Sequence, residues 1–180
     1  MNAPTPPSPE AVLEPKTLPL SKGKAAIVDA IDYPWLNQWK WHAGQSGGGN
    51  WYALRNQGGK TIRMHRELLE LKKNQVGDHI NGDGLDNRRA NLRICTQAQN
   101  NQNMKKKANT VSRFKGVSFN KETSKWIAQI SYKTKMYGLG YFLDEEDAAI
   151  VYDVAAQLLF GEYARLNFSQ TLPYPPPPSK

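Results

Sequence analysis

The chain has 180 residues and a formal net charge of +8, with 24 basic residues against 16 acidic ones. This excess favours nucleic acid first and an anionic membrane second as the partner, although a merely basic soluble protein would have the same composition. A single cysteine, Cys95, excludes an internal disulfide and a zinc site built from cysteine pairs, and neither a membrane-length apolar run nor a secretory signal is present.

Both ends of the chain are rich in proline and poor in apolar residues. We expect residues 1–22 and 169–180 to be disordered, because such segments bury too little apolar surface to fold. The tail sequence PYPPPPS also has the composition of a polyproline ligand, which is the alternative to a frayed end.

Residues 23–64 have the pattern of a small β-rich extension. A strand over residues 23–29 precedes the aromatic-dense segment YPWLNQWKW, which predicts a short helix that begins near Pro34. Residues 51–55 and 60–64 then predict a hairpin. These residues indicate no catalytic role. We expect the extension to pack against the segment that follows it and to contact the same nucleic acid.

Residues 76–103, VGDHINGDGLDNRRANLRICTQAQNNQN, contain too few apolar residues to be mainly core. Their pattern predicts a strand over residues 76–80, a turn rich in Asn, Gly and Asp, and a returning strand over residues 92–95. Thr96 then caps a helix. Carboxylate, imidazole and amide side chains follow one another at set distances here, which is typical of a functional site.

The adjacent residues Asp78 and His79 carry the groups that phosphodiester hydrolysis requires. A hard divalent ion such as Mg²⁺ takes one or two protein oxygens, which Asp78 and an asparagine carbonyl from the following helix would supply. The imidazole of His79 titrates near neutrality and would activate water. Neighbours on a regular strand face opposite ways, so both groups reach one phosphate only where the strand ends or bends.

The run DHINGDGLDNRRANLRICTQAQNNQN, with MHRELL upstream, resembles the HNH endonuclease motif of phage and intron homing enzymes, within the ββα-metal finger superfamily. The resemblance implies that His79 is the general base and Asp78 a metal ligand. It also implies that Asn91 holds the loop and helps to orient the base. The last metal ligand falls on Asn100 in the helix, with the two later asparagines of that helix as alternatives. The implied cofactor is Mg²⁺ or Mn²⁺.

Basic residues around this motif are candidate phosphate contacts. Arg93 alternates with its apolar neighbours along the predicted strand, so we expect its side chain to be exposed. The lysine run after the helix is either a solvated segment or a grip on phosphates. His65 is either a third imidazole of the site or a residue that packs or contacts the DNA backbone. The candidate DNA contacts of this region are Arg88, Arg89, Arg93, Lys105, Lys106 and Lys107.

Residues 114–168 have a different pattern, of three strands and one long helix. Asp144 caps the helix, and small apolar residues along one side of it allow close packing on a sheet. The first two strands alternate an apolar face with a face of Lys, Gln, Ser and Asn, which fits the major groove or is simply solvated. The strands are predicted over residues 115–120, 125–132 and 135–142.

This second segment, from FKGVSFNKETSKWIAQI to GLGYFLDEEDAAIVYDVAAQLLFGEYARLNF, resembles the AP2 DNA-binding domain over nearly its whole length. The resemblance implies that the sheet enters the major groove. Met136 and Gly138 stand where the third strand of plant members makes contacts, so the plant target site does not carry over. The matching positions on the first two strands are Lys115, Ser118, Asn120, Gln129 and Ser131, to which the polar face adds Lys125.

The sequence therefore predicts an α+β protein in which a small β-rich N-terminal part runs into an HNH finger and a three-stranded antiparallel sheet with one packed helix follows. We expect it to hydrolyse double-stranded DNA in the cytoplasm of a bacterial host, encoded by the host or by a phage, with no membrane or protein partner. The alternatives are a sequence-specific DNA-binding protein with an inactive nuclease finger, and an RNA-binding module. The predicted segments are 1–22 disordered, 23–104 nuclease with its extension, 105–113 basic linker, 114–168 AP2-like and 169–180 disordered.

Overall fold

The computed structural model describes residues 14–46, 49–106 and 110–168. Its contacts divide the chain into two units, with the boundary between Cys95 and Thr96. This boundary lies before the helix that the sequence analysis places in the nuclease domain. The predicted tail over residues 169–180, the first part of the predicted disordered N-terminus, and Lys107 lie outside the described residues.

The first unit is built from small antiparallel sheets and two short helices. One sheet pairs β1 with β2, a second has the order β3-β4-β5, and β6 pairs with β7. Its elements are β1 (Lys16–Pro19), β2 (Ala25–Val28), α1 (Tyr33–Leu36), β3 (His42–Gln45), β4 (Trp51–Gln57), β5 (Lys60–Arg63), α2 (Met64–Leu68), β6 (Val76–His79) and β7 (Leu92–Cys95).

Strand β1 corrects the prediction that residues 1–22 are disordered throughout. Leu18 pairs with Ala26 across the β1–β2 ladder and is only 3% exposed. It packs in one core cluster with Val28 and Trp41. A single buried leucine in a proline-rich segment gives little local signal, because the partner that orders it comes later in the chain.

Strands β6 and β7 carry the central segment of the sequence. They pair in the register Val76↔Cys95 to His79↔Leu92, in agreement with the predicted strands. Residues 80–91, here called the central loop, connect them through a 3₁₀ turn at Arg89–Asn91. Side-chain oxygens order this loop locally, since the backbone N–H of Asp83 donates to Asn81 at 2.8 Å.

The second unit begins with helix α3 (Gln97–Asn103), followed by β8 (Val117–Asn120), β9 (Lys125–Tyr132), β10 (Lys135–Phe142) and α4 (Glu145–Phe160). The three strands form an antiparallel sheet of order β10-β9-β8. Thr96 caps α3 through a capping box with Gln99, as its sequence predicts. Together the two units confirm the α+β prediction.

Helix α4 packs against one face of this sheet through small side chains. Asp144 caps it by accepting from the N–H groups of Glu146 and Asp147 at 2.7 and 3.2 Å. Its alanines allow the helix to lie close to β9, since a methyl group leaves little distance between the backbones. The fully or nearly fully buried residues of this interface are Val117, Ala128, Ile130, Ala148, Ala149, Tyr152 and Ala156.

Strand β10 contains a bulge that changes which side chains face the helix. The β9–β10 register shifts between Gly138 and Gly140, which places Leu139 in the core clusters. Tyr141 then pairs with Ile127, on the side of the sheet turned away from α4, and is 61% exposed. This side, with Ser118, Asn120, Lys125, Ile127, Gln129, Ser131, Met136 and Tyr141, is called the open face. No helix within the described ranges has the length and apolarity of a membrane span.

Candidate active site

His79 lies at the last position of β6 and is 5% exposed. Its neighbour Asp78, 6% exposed, pairs across the ladder with Arg93. The ring of His79 instead contacts residues of the central loop and of the β-rich extension. The strand therefore ends where a carboxylate and an imidazole leave it in different directions.

Asn87 of the central loop fixes the tautomer of His79. The carboxamide nitrogen of Asn87 donates to the carbonyl oxygen of Leu85 at 3.1 Å, with a second contact to the carbonyl of Gly84 at 3.5 Å. The carboxamide oxygen therefore faces Nε2 of His79, 3.3 Å away. Because an amide oxygen only accepts, Nε2 carries the proton and Nδ1 keeps the lone pair of a base.

Burial keeps this imidazole neutral. The pKa of His79 is lowered chiefly by desolvation, while the hydrogen bond to Asn87 and the carboxylates of Asp78, Asp83 and Asp86 oppose the shift. A histidine whose pKa lies below its ordinary value is deprotonated at neutral pH. The side chain is therefore in the form that accepts a proton from water.

His65 and Tyr52 complete a cluster of rings around His79. The ring centroids of His65 and His79 are 4.8 Å apart, edge to face, and Tyr52 lies 5.8 and 5.9 Å from the two imidazoles. His65 is 4% exposed, and desolvation lowers its pKa to about 3, with the nearby His79 as the next cause. Gly77 admits this ring, since a Cβ there would lie 2.9 Å from Cδ2 of His65.

Asn91 braces the central loop. Its carboxamide nitrogen donates to the side-chain oxygen of Asn81 at 3.0 Å and to the carbonyl of Asp86 at 2.8 Å, and its oxygen accepts from the N–H of Asn81 at 3.0 Å. The side chain in hydrogen-bond contact with the imidazole is Asn87, which the sequence analysis had not distinguished from its turn neighbours. Asn87 follows an aspartate in a run of turn-forming residues, so its sequence context indicates a turn and gives no sign of a contact with the imidazole.

Arg93 is not the exposed phosphate contact that strand alternation predicts. Its Nε and one terminal nitrogen donate to Oδ2 of Asp78 at 2.9 and 2.7 Å. The two side chains are only 10% and 7% exposed. The prediction was wrong because the cross-strand register places the guanidinium over a buried carboxylate, and two opposite charges that are withdrawn from water pair with each other.

Asn100 lies on α3, in the second unit, and is partly buried. Asn101 is exposed, whereas Asn103 is 5% exposed. Within the described ranges, no group of three or more His, Cys, Asp or Glu side chains could hold a metal ion. Asp78, in the first unit, offers a carboxylate oxygen, and Asn100, in the second unit, offers a carboxamide oxygen. Both are ligand types that a hard divalent ion accepts, and such an ion keeps several waters.

The other two arginines of the loop are also paired within the chain. Arg88 binds both carboxylate oxygens of Asp86, at 2.8 and 2.6 Å. Arg89 binds both oxygens of Asp32, each at 2.8 Å. Their side chains stay 43% and 56% exposed, so their guanidinium groups remain accessible to a phosphate from one side.

Lys115 contacts the backbone of the second unit and precedes the strand on which the sequence analysis places it. Its ammonium donates to the carbonyl oxygens of Gln102 and Met104, the latter at 2.9 Å, at the end of α3. Burial lowers its pKa to about 8. Strand β8 begins two residues later, at Val117, so Lys115 precedes the sheet and does not belong to its open face.

The remaining predicted contacts of the sheet lie on the open face. The side-chain oxygen of Asn120 accepts from the N–H groups of Glu122 and Thr123, at 2.9 and 3.1 Å, and so stabilises the β8–β9 turn. Lys125 and Ser131 are exposed, and Ser118 and Gln129 are partly exposed. Sequence reasoning missed Tyr141 on this face, because the bulge that turns it outward has no local signal. In the basic segment, Lys105 is exposed and Lys106 partly exposed.

Comparison with known proteins gives a family match over the central segment. Residues 70–102 match the HNH endonuclease family. An uncharacterized HNH endonuclease of Acanthamoeba polyphaga mimivirus is 30% identical over 158 residues, which cover 81% of this chain and 76% of the viral protein. Protein 3.8 of Escherichia phage T7 is 29% identical over 113 residues, which cover 60% of this chain and 93% of the phage protein.

A plant protein shares a shorter region. Dehydration-responsive element-binding protein 2E of Arabidopsis thaliana is 39% identical over 74 residues, which cover 36% of this chain. The similarity is consistent with an AP2 domain, and it spans only 30% of the length of the plant protein. No solved structure matches the chain.

Proposed function

The chain belongs to the HNH endonuclease family and is a nuclease, and from this premise we propose that it is a metal-dependent DNA endonuclease whose general base is His79. The observation that carries the proposal is the hydrogen bond between Nε2 of His79 and Asn87. It commits the proton to Nε2 and leaves Nδ1 to take a proton from water as that water attacks the phosphate.

The surroundings of His79 support this role. Desolvation keeps the imidazole uncharged at neutral pH, and the edge of His65 together with Tyr52 restricts its rotation. Asn91 holds the central loop, which carries Asn87, through its bonds to Asn81 and Asp86. A base held in one orientation loses little entropy in the reaction, which raises the rate of proton transfer.

We propose Mg²⁺ or Mn²⁺ as the cofactor, with Asp78 and Asn100 as the residues that would hold it. When bound, such an ion supplies charge stabilisation to the phosphate and to the leaving oxygen. The Asp78 carboxylate forms an ion pair with Arg93. To hold a metal ion, it would either bind the ion and the guanidinium together or give up its contact with the guanidinium.

Double-stranded DNA is the proposed substrate. The open face of the second unit presents Lys125, Gln129 and Ser131, and glutamine and lysine are residue types that read bases or phosphates in the major groove. Tyr141 and Ile127 add apolar surface to the same face, which suits contact with thymine methyl groups. We propose that the protein acts on this substrate in the cytoplasm of a bacterial host cell.

A plasmid-nicking assay tests the proposed function. Purified full-length protein is incubated with supercoiled plasmid and Mg²⁺ or Mn²⁺, with and without EDTA, and the relaxed and linear forms are quantified. We expect cleavage that requires the divalent ion and that duplex RNA does not undergo. Cleavage that persists in EDTA would contradict the metal dependence, and no cleavage with either ion would favour a DNA-binding protein with an inactive finger.

A further inference from the structure

The β-rich extension is hydrogen-bonded directly to the central loop. The N–H of Ile27, in β2, donates to the carbonyl of Leu85 at 2.8 Å, and the N–H of Asn87 donates to the carbonyl of Ile27 at 2.7 Å. Asn87 is the residue whose side chain binds His79. The β1–β2 hairpin is therefore fixed to the part of the loop that orients the candidate base.

A second contact ties the extension to the same loop at Gly84. A Cβ at Gly84 would lie 2.3 Å from the carbonyl oxygen of Trp51 and 2.6 Å from Cδ1 of Tyr52, so only glycine fits there without a shift of the backbone. Tyr52 in turn lies 5.9 Å from the ring of His79. The start of β4 thus borders the candidate active site.

Two lysines of the extension lie over the ring of Trp51, the first residue of β4. The ammonium groups of Lys22 and Lys24 lie 5.0 and 5.5 Å from the centroid of the Trp51 ring. Both residues are exposed. Among the described residues, no carboxylate forms an ion pair with either ammonium. The indole holds two positive charges on the residue whose backbone carbonyl borders Gly84 of the central loop.

We propose that Lys22, Lys24 and Trp51 form a contact surface for the phosphate backbone of duplex DNA beside the cleavage site. The inference rests on the proposed nuclease function and gives the β-rich extension a role that the open face of the second unit does not cover. Lysine ammoniums bind phosphates as point charges, without base preference. The surface therefore contributes affinity and positions the strand near His79, and it leaves sequence reading to other residues.

The salt dependence of DNA binding tests this surface. Full-length wild type and the double variant Lys22→Ala/Lys24→Ala are titrated onto a fluorescent duplex in EDTA, across a range of salt concentrations. Each lost phosphate contact removes about 0.9 from the slope of log affinity against log salt, so we expect the slope to fall by about 1.8 and affinity at 0.15 M salt to fall roughly thirtyfold.

The control is Lys60→Ala/Lys73→Ala, which removes the same charge from two exposed lysines of the same unit. We expect its slope to stay at the wild-type value. A Lys22→Ala/Lys24→Ala slope equal to that of the control would overturn the inference, and thermal melts of both variants show that they are folded. Plasmid cleavage by the wild type is scored separately, so a failure of the proposed nuclease function is distinguishable from a failure of this surface.

Discussion

The carboxamide oxygen of Asn87 lies 3.3 Å from Nε2 of His79, and both side chains are buried. Since the amide nitrogen of Asn87 donates to backbone carbonyls of the central loop, the loop itself dictates which imidazole nitrogen carries the proton. This couples the fold of the loop to the chemistry of the base.

Replacement of Asn87 by alanine tests that coupling. We expect Asn87→Ala to lower kcat by roughly a hundredfold, a typical contribution of a positioned general base, with a much smaller effect on KM. Imidazole ¹⁵N NMR should show the Nε2–H tautomer of His79 in the wild type and a mixture in the variant. Asn37→Ala, at an exposed asparagine of the same unit, is the control. Equal tautomer populations in wild type and Asn87→Ala would show that the hydrogen bond does not set the proton position.

Burial of His65 makes stability depend on pH. Its pKa falls from 6.5 in the unfolded chain to about 3 in the fold, so between these values the unfolded chain binds a proton that the folded one does not. Stability is therefore complete above about pH 6.5 and decreases as the pH falls toward 3, by at most about 1.4 kcal/mol per pH unit. His79, whose pKa is also lowered, acts in the same direction.

The variant His65→Phe keeps an aromatic ring against His79 but has no titrating group. Urea denaturation between pH 7 and pH 4 should show a shallower loss of stability in His65→Phe than in the wild type. His65→Ala, which leaves a cavity, should be less stable at every pH by about 2 kcal/mol or more. The same pH slope in wild type and His65→Phe would mean that His65 does not titrate as its burial requires.

The pair of Arg93 and Asp78 predicts competition between the guanidinium and a divalent ion. Removing one partner of a buried pair leaves the other charge uncompensated, so Arg93→Gln should lower the free energy of unfolding without metal by about 3 kcal/mol. Asp78 should then bind Mn²⁺ about tenfold more tightly, because the positive charge of the guanidinium no longer repels the ion. Isothermal titration calorimetry measures the affinity.

Arg88→Gln provides the matched comparison for this change. Its carboxylate partner is Asp86, but the Arg88 side chain is 43% exposed. We expect a change in stability of less than about 1 kcal/mol and no change in Mn²⁺ affinity. If Arg93→Gln bound Mn²⁺ no better than Arg88→Gln, Asp78 would not be the residue for which the two cations compete.

Substitution of Lys115 is expected to lower stability and to leave DNA affinity nearly unchanged. Lys115→Met removes an ammonium that binds the carbonyls of Gln102 and Met104, and we expect a loss of about 2 kcal/mol in stability. The affinity of the folded protein for duplex DNA should stay within about twofold, while Gln129→Ala on the open face weakens binding by about 1–3 kcal/mol. Anisotropy titrations at a temperature where Lys115→Met is fully folded decide between a structural lysine and a DNA contact.

Local patterns predicted the elements that carry the candidate site. Alternation and turn residues marked β6 and β7, and Thr96, as a helix-capping residue, marked the start of α3. The predicted limits of β9 and β10 match the structure. These features depend on neighbours within a few residues, and the physical signal is present in the sequence itself.

Features that depend on distant pairing could not be predicted. Arg93 faces Asp78 only because of the β6–β7 register, and β1 is ordered only through its pairing with β2. The Lys115 ammonium binds a carbonyl group at the end of α3, and the sequence between the two gives no sign of this contact. In the open face, the bulge at Leu139 reverses the alternation of β10 and exposes Tyr141. Each depends on a tertiary contact that overrides the local pattern.

The central claim is that His79 is the general base, and single-turnover cleavage by His79→Ala tests it most directly. Wild type and variant are mixed with labelled duplex DNA at saturating protein, cleavage is started with the divalent ion, and binding is measured in parallel in EDTA. The account predicts a cleavage rate at least about a hundredfold lower in His79→Ala, with DNA affinity close to that of the wild type. A variant that cleaves at the wild-type rate would contradict the account.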